Sequence, residues 1–109
     1  MSSAEREYHI IIDPSVNERM AEHMEFLARV SEEAASRLLE EMMDAIRSLK
    51  KMPFRNPYYN RAYLPVDKYR QMIFCNKRYR IVYQVSSDFV FIDDIQDCRQ
   101  NEDKSILLG

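Results

Sequence analysis

The sequence predicts an α+β fold in the order β-α-α-β-β-β, with a helical hairpin packed on a small, largely antiparallel sheet. Three observations predict it. A short apolar strand comes first, two amphipathic helices follow almost without a linker, and three short segments rich in β-branched and aromatic residues come last. Strands joined by short polar turns pair as hairpins, so the last three segments are expected to form an antiparallel meander.

The first strand is predicted at residues 7–12, which read EYHIII. Because its end is nearly continuous in apolar residues, we expect it in the middle of the sheet. Asp13 and Pro14 then begin the first helix, since aspartate is a good N-cap and proline suits the first helical position. The helix turns one apolar stripe to the core. Its members are Val16, Met20, Met24 and Leu27, with Ala21 and Ala28 beside them.

The second helix begins after Ser31, a good N-cap residue, and Pro53 prevents its continuation. With so short a linker, the two helices should fold back as an antiparallel hairpin. The predicted apolar stripe of the second helix consists of Ala35, Leu38, Leu39, Met42, Ile46 and Leu49. Met43 and the other helical methionines are interpreted as core filler, with a groove for a partner as the alternative.

The meander is predicted from three segments, 69–74, 79–85 and 89–95, joined by turns at 76–78 and 86–88. Its clearest strand is YRIVYQV at 79–85, where Tyr79, Ile81, Tyr83 and Val85 share one face. Residues 53–68 contain three prolines, which exclude a regular helix or central strand there. The tyrosines of this segment are expected to pin it to the domain, and base stacking by them and Arg61 is the alternative.

The chain of 109 residues predicts one domain over 7–106, with 1–6 and 107–109 as loose ends. No apolar stretch suits a signal peptide or a membrane span, so we expect a cytoplasmic protein without membrane partners. Cys75 and Cys98 are too few for a disulfide framework or a zinc motif. The sequence thus indicates no metal and no cofactor.

Charge is distributed unevenly along the chain. Residues 1–50 carry eleven acidic and six basic side chains, whereas residues 51–80 carry eight basic side chains against Asp67 alone, a balance of 8 − 1 = +7. A basic cluster of this kind predicts contact with phosphate groups, or with the acidic helices or an acidic partner. Arg80 lies within the clearest strand. It either pairs with Asp93 or Asp94 across the hairpin or points into a functional groove.

The order of EYHIII-DPSV, a long helical hairpin, LP followed by YRQMIF, YRIVYQV and a final apolar strand that leads into a DCRQN turn resembles the RelE/ParE superfamily of bacterial toxins. The resemblance covers about residues 7–106, and YRIVYQV with its flanking strands is its most specific part. It implies the toxin of a type II toxin–antitoxin system, a growth inhibitor also described as a plasmid stabilisation protein. A cognate antitoxin would neutralise it. RelE-like members are ribosome-dependent endoribonucleases (mRNA interferases), whereas ParE-like members inhibit DNA gyrase without catalysis.

The resemblance also implies a site on the concave face of the sheet. Arg70, Arg80 and Arg99 match the cations with which RelE-like nucleases hold the scissile phosphate. Arginines placed there would stabilise the negative charge that develops when a 2′-hydroxyl attacks the phosphate. The remaining RNA-binding residues are predicted to be Arg61, Lys68, Lys77 and Arg78.

Two positions depart from that pattern. Met72 stands where a second cation of its strand is expected, and Ser105 stands where some relatives have a tyrosine. No general acid or base is therefore matched, although Glu102 or Asp103 could serve. The length of the helical hairpin is more typical of the ParE branch.

Three interpretations stay open: mRNA cleavage on the ribosome, inhibition of gyrase, and a degenerate member that only binds a partner. All three include an antitoxin, whose segment is expected along the basic meander face or the methionine-bearing helical hairpin.

Overall fold

The computed structural model describes residues 6–99 and confirms the predicted α+β fold and element order. The elements are β1 (His9–Ile12), α1 (Pro14–Ala28), α2 (Glu32–Leu49), β2 (Arg70–Phe74), β3 (Tyr79–Ser86) and β4 (Phe89–Asp97). One four-stranded sheet has the order β1-β4-β3-β2; β1 runs parallel to β4, and the other pairs are antiparallel. Residues 1–5 of the expected N-terminal loose end, and the tail from residue 100 with its predicted boundary at 106, lie outside the described residues.

Both predicted helix starts are confirmed by their caps. The Asp13 side chain accepts a hydrogen bond from the Ser15 amide at 2.9 Å, and Ser31 Oγ accepts one from the Ala34 amide at 3.1 Å. Each bond satisfies a helix-start N–H that has no partner within the helix. Because Pro14 occupies the first turn of α1, the chain turns from β1 into the helix without a linker.

One face of the sheet packs against both helices and forms the main core with them. The helices contribute residues that are almost fully buried, namely Val16, Met20, Leu27, Ala35, Leu38, Met42, Ala45, Ile46 and Leu49. The stripe is narrower than predicted, since Leu39 and Met43 are 41% and 52% exposed and Ala21 and Ala28 are also exposed. These residues lie on the flanks of the helices, where no strand or helix of residues 6–99 covers them.

The prediction that the first strand is central is wrong, because among residues 6–99 β1 lies at the edge of the sheet and pairs only with β4. Ile10 and Ile12 pack against the core, whereas Ile11 points the other way and is 42% exposed. The run of apolar residues therefore does not mean burial on both faces. On its open side β1 is joined to the end of α2 by a hydrogen bond from the Tyr8 amide to the Lys50 carbonyl.

The second face of the sheet, here called the outer face, carries Gln71, Arg80, Val82 and Gln96 and turns away from the helices. The segment between α2 and β2 crosses the domain here, and Tyr59 is fully buried, as predicted for a pinning tyrosine. Tyr58 and Tyr63 are instead 44% and 41% exposed. Within the described part of the chain, no helix is long and apolar enough to cross a membrane.

Candidate functional site

The strand register places Arg70 and Arg80 on opposite faces of the sheet. Arg70 pairs with Tyr83, which faces the helices, whereas Arg80 pairs with Ile73 and Gln96 on the outer face. Paired residues on neighbouring strands share a face, and successive residues alternate. The expectation that Arg70 and Arg80 belong to one cluster on the concave face is therefore not met.

Arg70 holds the segment between α2 and β2. Its Nη1 donates hydrogen bonds to the carbonyls of Asn56 and Phe54 at 2.6 and 3.3 Å. The guanidinium carbon also lies 4.1 Å from the ring centroid of Tyr58. The hydrogen bonds to the two carbonyls and the cation–π contact hold this side chain against the loop and stabilise the loop conformation.

Arg80 occupies the outer face and is half-buried. Its Nη1 donates to Gln71 Oε1 at 3.0 Å, while its buried Nε has no hydrogen-bond partner within the described residues. The predicted pairing with Asp93 or Asp94 is wrong, because the register sets Gln96 opposite Arg80. Asp93 instead accepts a hydrogen bond from Gln84 at 2.8 Å, beside the irregularity that interrupts the β3–β4 register.

The ring of Tyr59 brings Arg80 and Arg61 together. The two guanidinium carbons lie 5.3 and 4.1 Å from the centroid of this ring. The Tyr59 hydroxyl donates to Gln96 Oε1 at 3.2 Å, and Gln96 Nε2 donates to Asp94 Oδ2 at 2.9 Å. This buried chain of hydrogen bonds positions the tyrosine, and with it both cations, on the outer face.

Asp94 extends the same network to the helices. It is fully buried, and its Oδ1 lies 3.8 Å from Nε of Arg19 in α1. Since β1 ends opposite Ile92, it does not cover this part of β4. A cation beside a buried carboxylate offsets the cost of removing that charge from water.

Arg99 lies just beyond the end of β4, apart from both Arg70 and the Arg80–Arg61 pair on the outer face. Its Nε and Nη2 donate to the two carboxylate oxygens of Asp97 at 3.2 and 3.1 Å. Burial raises the pKa of the Asp97 carboxyl, but the hydrogen bonds from Arg99 outweigh that effect and lower it. Asp97 pairs with Tyr79, four positions before Tyr83, so the carboxylate that holds Arg99 is on the order of 13 Å along the sheet from Arg70.

Three predicted site residues do come together in a cleft. Lys77 and Arg78 from the β2–β3 turn meet Arg99 and, from α2, Arg37. This basic cleft has a volume of about 360 Å³. Lys68 lies elsewhere, with its ammonium 5.2 Å from the Tyr69 ring centroid. Sequence reasoning missed Arg37, because nothing in its helix distinguishes it from the other exposed charges.

No complete set of acid and base groups accompanies these cations among residues 6–99. Met72 packs against the core and accepts a contact from Ser48 Oγ to its sulfur at 3.6 Å. Glu102, Asp103 and Ser105 lie outside the described residues. His23 is half-buried with its ring centroid 5.3 Å from that of Tyr79, and burial lowers its pKa. Within the described range, no cluster of His, Cys, Asp or Glu residues could hold a metal ion.

Comparison with models of known protein families and with curated protein sequences finds no match to this chain.

Proposed function

We propose that this protein is the toxin of a type II toxin–antitoxin pair that arrests growth through mRNA cleavage on the ribosome. The observation that carries the proposal is the position of Arg80. This arginine of the YRIVYQV strand stands half-buried on the outer face of the sheet, and within residues 6–99 only the Nη1 atom of its guanidinium has a hydrogen-bond partner, Gln71 Oε1. A guanidinium with donors to spare can bind a phosphate oxygen.

The surroundings of Arg80 support a role in holding RNA. Arg61 lies on the same tyrosine ring, and Tyr59 is fixed by hydrogen bonds rather than by apolar packing alone. Cations held in place before the substrate arrives need little reorganisation when charge develops on a scissile phosphate. Arg80 is therefore the proposed catalytic cation, with Arg61 as its RNA-binding neighbour.

The separation of the arginines favours a second candidate, a non-catalytic toxin of the ParE kind that inhibits DNA gyrase. Arg70 lies on the opposite face of the sheet and Arg99 lies in the cleft beyond the end of β4, so neither joins Arg80 at one phosphate. A surface that only binds a protein needs no such convergence. An antitoxin partner belongs to both candidates.

Induced expression in bacteria without the neighbouring open reading frame tests the proposal. Growth and primer extension on a translated message are followed for the wild type, Arg80→Ala and Arg47→Ala. Arg47 is the matched control, because it lies on the exposed side of α2 and, within the described part of the chain, its side chain pairs only with Asp44. Circular dichroism of each purified variant shows whether it is folded.

Arrest with codon-phased cuts that Arg80→Ala abolishes and Arg47→Ala retains would support the nuclease. Arrest with intact message and DNA damage would transfer the assignment to gyrase inhibition. An absence of arrest with well-expressed, folded protein would overturn both and leave a partner-binding role.

A further inference from the structure

The basic cleft is formed where the α1–α2 connection meets the β2–β3 turn. Leu27 and Ala34 contribute an apolar wall, and Tyr79, almost fully buried, lies behind it. Its volume of about 360 Å³ falls within the range of small-ligand sites. The cleft lies at the helix-covered end of the sheet and is distinct from the outer face that carries Arg80.

Among residues 6–99, four cations line this cleft, and two of them have no counter-ion in that range. Arg37 and Lys77 form no ion pair with any residue from 6 to 99. Arg78 lies 4.0 Å from Asp97, and its buried Nε has no hydrogen-bond acceptor in the described range. The four cations of the cleft, Arg99 included, stand against two adjacent acids, Asp97 and Glu41. The local charge balance is therefore 4 − 2 = +2.

The backbone of the β2–β3 turn holds Lys77 at the cleft. Cys75, Asn76 and Lys77 have φ values of 55°, 53° and 65°, three consecutive left-handed residues without a glycine. Asparagine tolerates this region, whereas cysteine and lysine occupy it at a cost. The turn is closed by a hydrogen bond from the Arg78 amide to the Cys75 carbonyl at 3.0 Å.

Asp97 fixes the orientation of a hydrogen-bond donor in the cleft, the guanidinium of Arg99. It holds the Arg99 guanidinium through two oxygens, so this side chain is oriented before any ligand arrives. A group that enters the cleft thus meets the preorganised Arg99 guanidinium and two cations, Arg37 and Lys77, that have no counter-ion among residues 6–99.

We propose that this cleft binds the phosphate group of a nucleotide. Several cations converging on one small cavity match a phosphate, whose oxygens accept several charge-assisted hydrogen bonds at once. A peptide carboxylate would satisfy one of them, and acidic peptides spread their charges along an extended chain. Guanidinium planes and an apolar wall also accept a base beside the phosphate.

Two sources supply this chemistry, a strand of single-stranded RNA and a free nucleotide. Fluorescence anisotropy of a labelled short RNA is measured with the purified chain, in wild-type form and as Arg37→Gln combined with Lys77→Asn. Both side chains are exposed, and asparagine suits the left-handed backbone at 77. Arg47→Gln serves as the control on the same helix, and thermal melting verifies that every variant is folded.

We expect the double variant to weaken RNA binding about tenfold at moderate salt, and the slope of log K against log salt to fall by about 0.7 for each lost cation. The control should bind like the wild type. Competition by a nucleoside 5′-monophosphate, but not by the nucleoside, would assign the cleft to a single nucleotide. Competition by unlabelled RNA alone would assign it to a strand.

Equal RNA affinity for the double variant and the wild type would overturn the proposal. So would binding of an acidic peptide that depends on Arg37 and Lys77 while RNA binding does not. Because the measurement uses purified protein and needs neither cleavage nor toxicity, it can fail while the function proposed for Arg80 stands, and the reverse also holds.

Discussion

Asp97, at the end of β4, is held by its neighbour two positions on, Arg99, through both carboxylate oxygens. The Arg99 amide adds a third hydrogen bond to the same carboxylate at 2.9 Å. The carboxylate is 7% exposed, so water contributes little to its solvation. Its charge is retained because these bonds outweigh burial and lower its pKa. The end of the sheet and one wall of the basic cleft therefore depend on this pair.

We expect the pair to make the fold sensitive to acid. A lowered pKa in the folded state means that the unfolded chain binds this proton more readily. The contribution of Asp97 is thus complete above its ordinary value of 3.8 and is lost as the pH falls through the lowered pKa. Asp97→Asn should reduce the free energy of unfolding at neutral pH by about 1–2 kcal/mol.

Urea unfolding of the wild type and Asp97→Asn at several pH values between neutral and about 3 tests this prediction. Asp44→Asn, which removes an exposed carboxylate paired with Arg47, is the control and should change little. Equal stability of Asp97→Asn and the wild type at neutral pH would show that the pair contributes nothing net.

His23 is a basic group, unlike Asp97, but we expect it to make the free energy of unfolding depend on pH in the same direction. Burial against Tyr79 lowers its pKa below the ordinary 6.5, so the folded protein resists protonation. Because the unfolded chain then binds more protons, the free energy of unfolding falls as the pH drops from 6.5 toward the lowered value. Replacing the imidazole with an uncharged side chain should flatten stability in this window.

Thermal melting of the wild type and His23→Leu from neutral pH down to about 5 measures the effect. His9→Leu is the matched control, since His9 is exposed on β1. A slope for His23→Leu as steep as that of the wild type would assign the pH dependence to other groups.

Local features were predictable from the sequence, because each depends on neighbouring residues. The caps at Asp13 and Ser31 and the alternation of Tyr79–Val85 involve contacts within a few positions. The faces of Arg70 and Arg80 instead depend on how β2 pairs with β3. The turn at Cys75–Arg78 sets that register, and a shift of one residue would exchange the faces.

The candidate site was only partly predictable for the same reason. A basic region was evident from composition, but its cations lie in three places. Arg70 stabilises a loop, Arg80 lies on the outer face, and others line the basic cleft. Arg37 reaches the cleft from a helix some forty residues before the turn that carries Lys77, a proximity that no local pattern encodes. Likewise, EYHIII contains no signal that distinguishes an edge strand from a central one.

The two adjacent leucines of α2 offer a direct test of the core. Leu38 is fully buried and Leu39 is 41% exposed. Leu38→Ala should cost about 2–5 kcal/mol because it leaves a cavity, whereas Leu39→Ala should change stability by about 0.5 kcal/mol. Urea unfolding of the two variants compares them directly. Similar losses would mean that the helix is rotated relative to the sheet.

The last prediction is that Arg70 stabilises the loop between α2 and β2 and does not bind a ligand. Arg70→Lys keeps the charge but removes the guanidinium Nη1 that donates to both the Asn56 and the Phe54 carbonyl, so we expect the free energy of unfolding to fall by about 1–3 kcal/mol. Hydrogen exchange at the Tyr59 and Gln71 amides, which bond the Tyr69 and Pro57 carbonyls, should accelerate. Lys68→Ala, an exposed neighbour, should leave these amides protected. If Arg70→Lys instead left exchange and stability unchanged but weakened RNA binding, Arg70 would be a ligand contact and would not stabilise the loop.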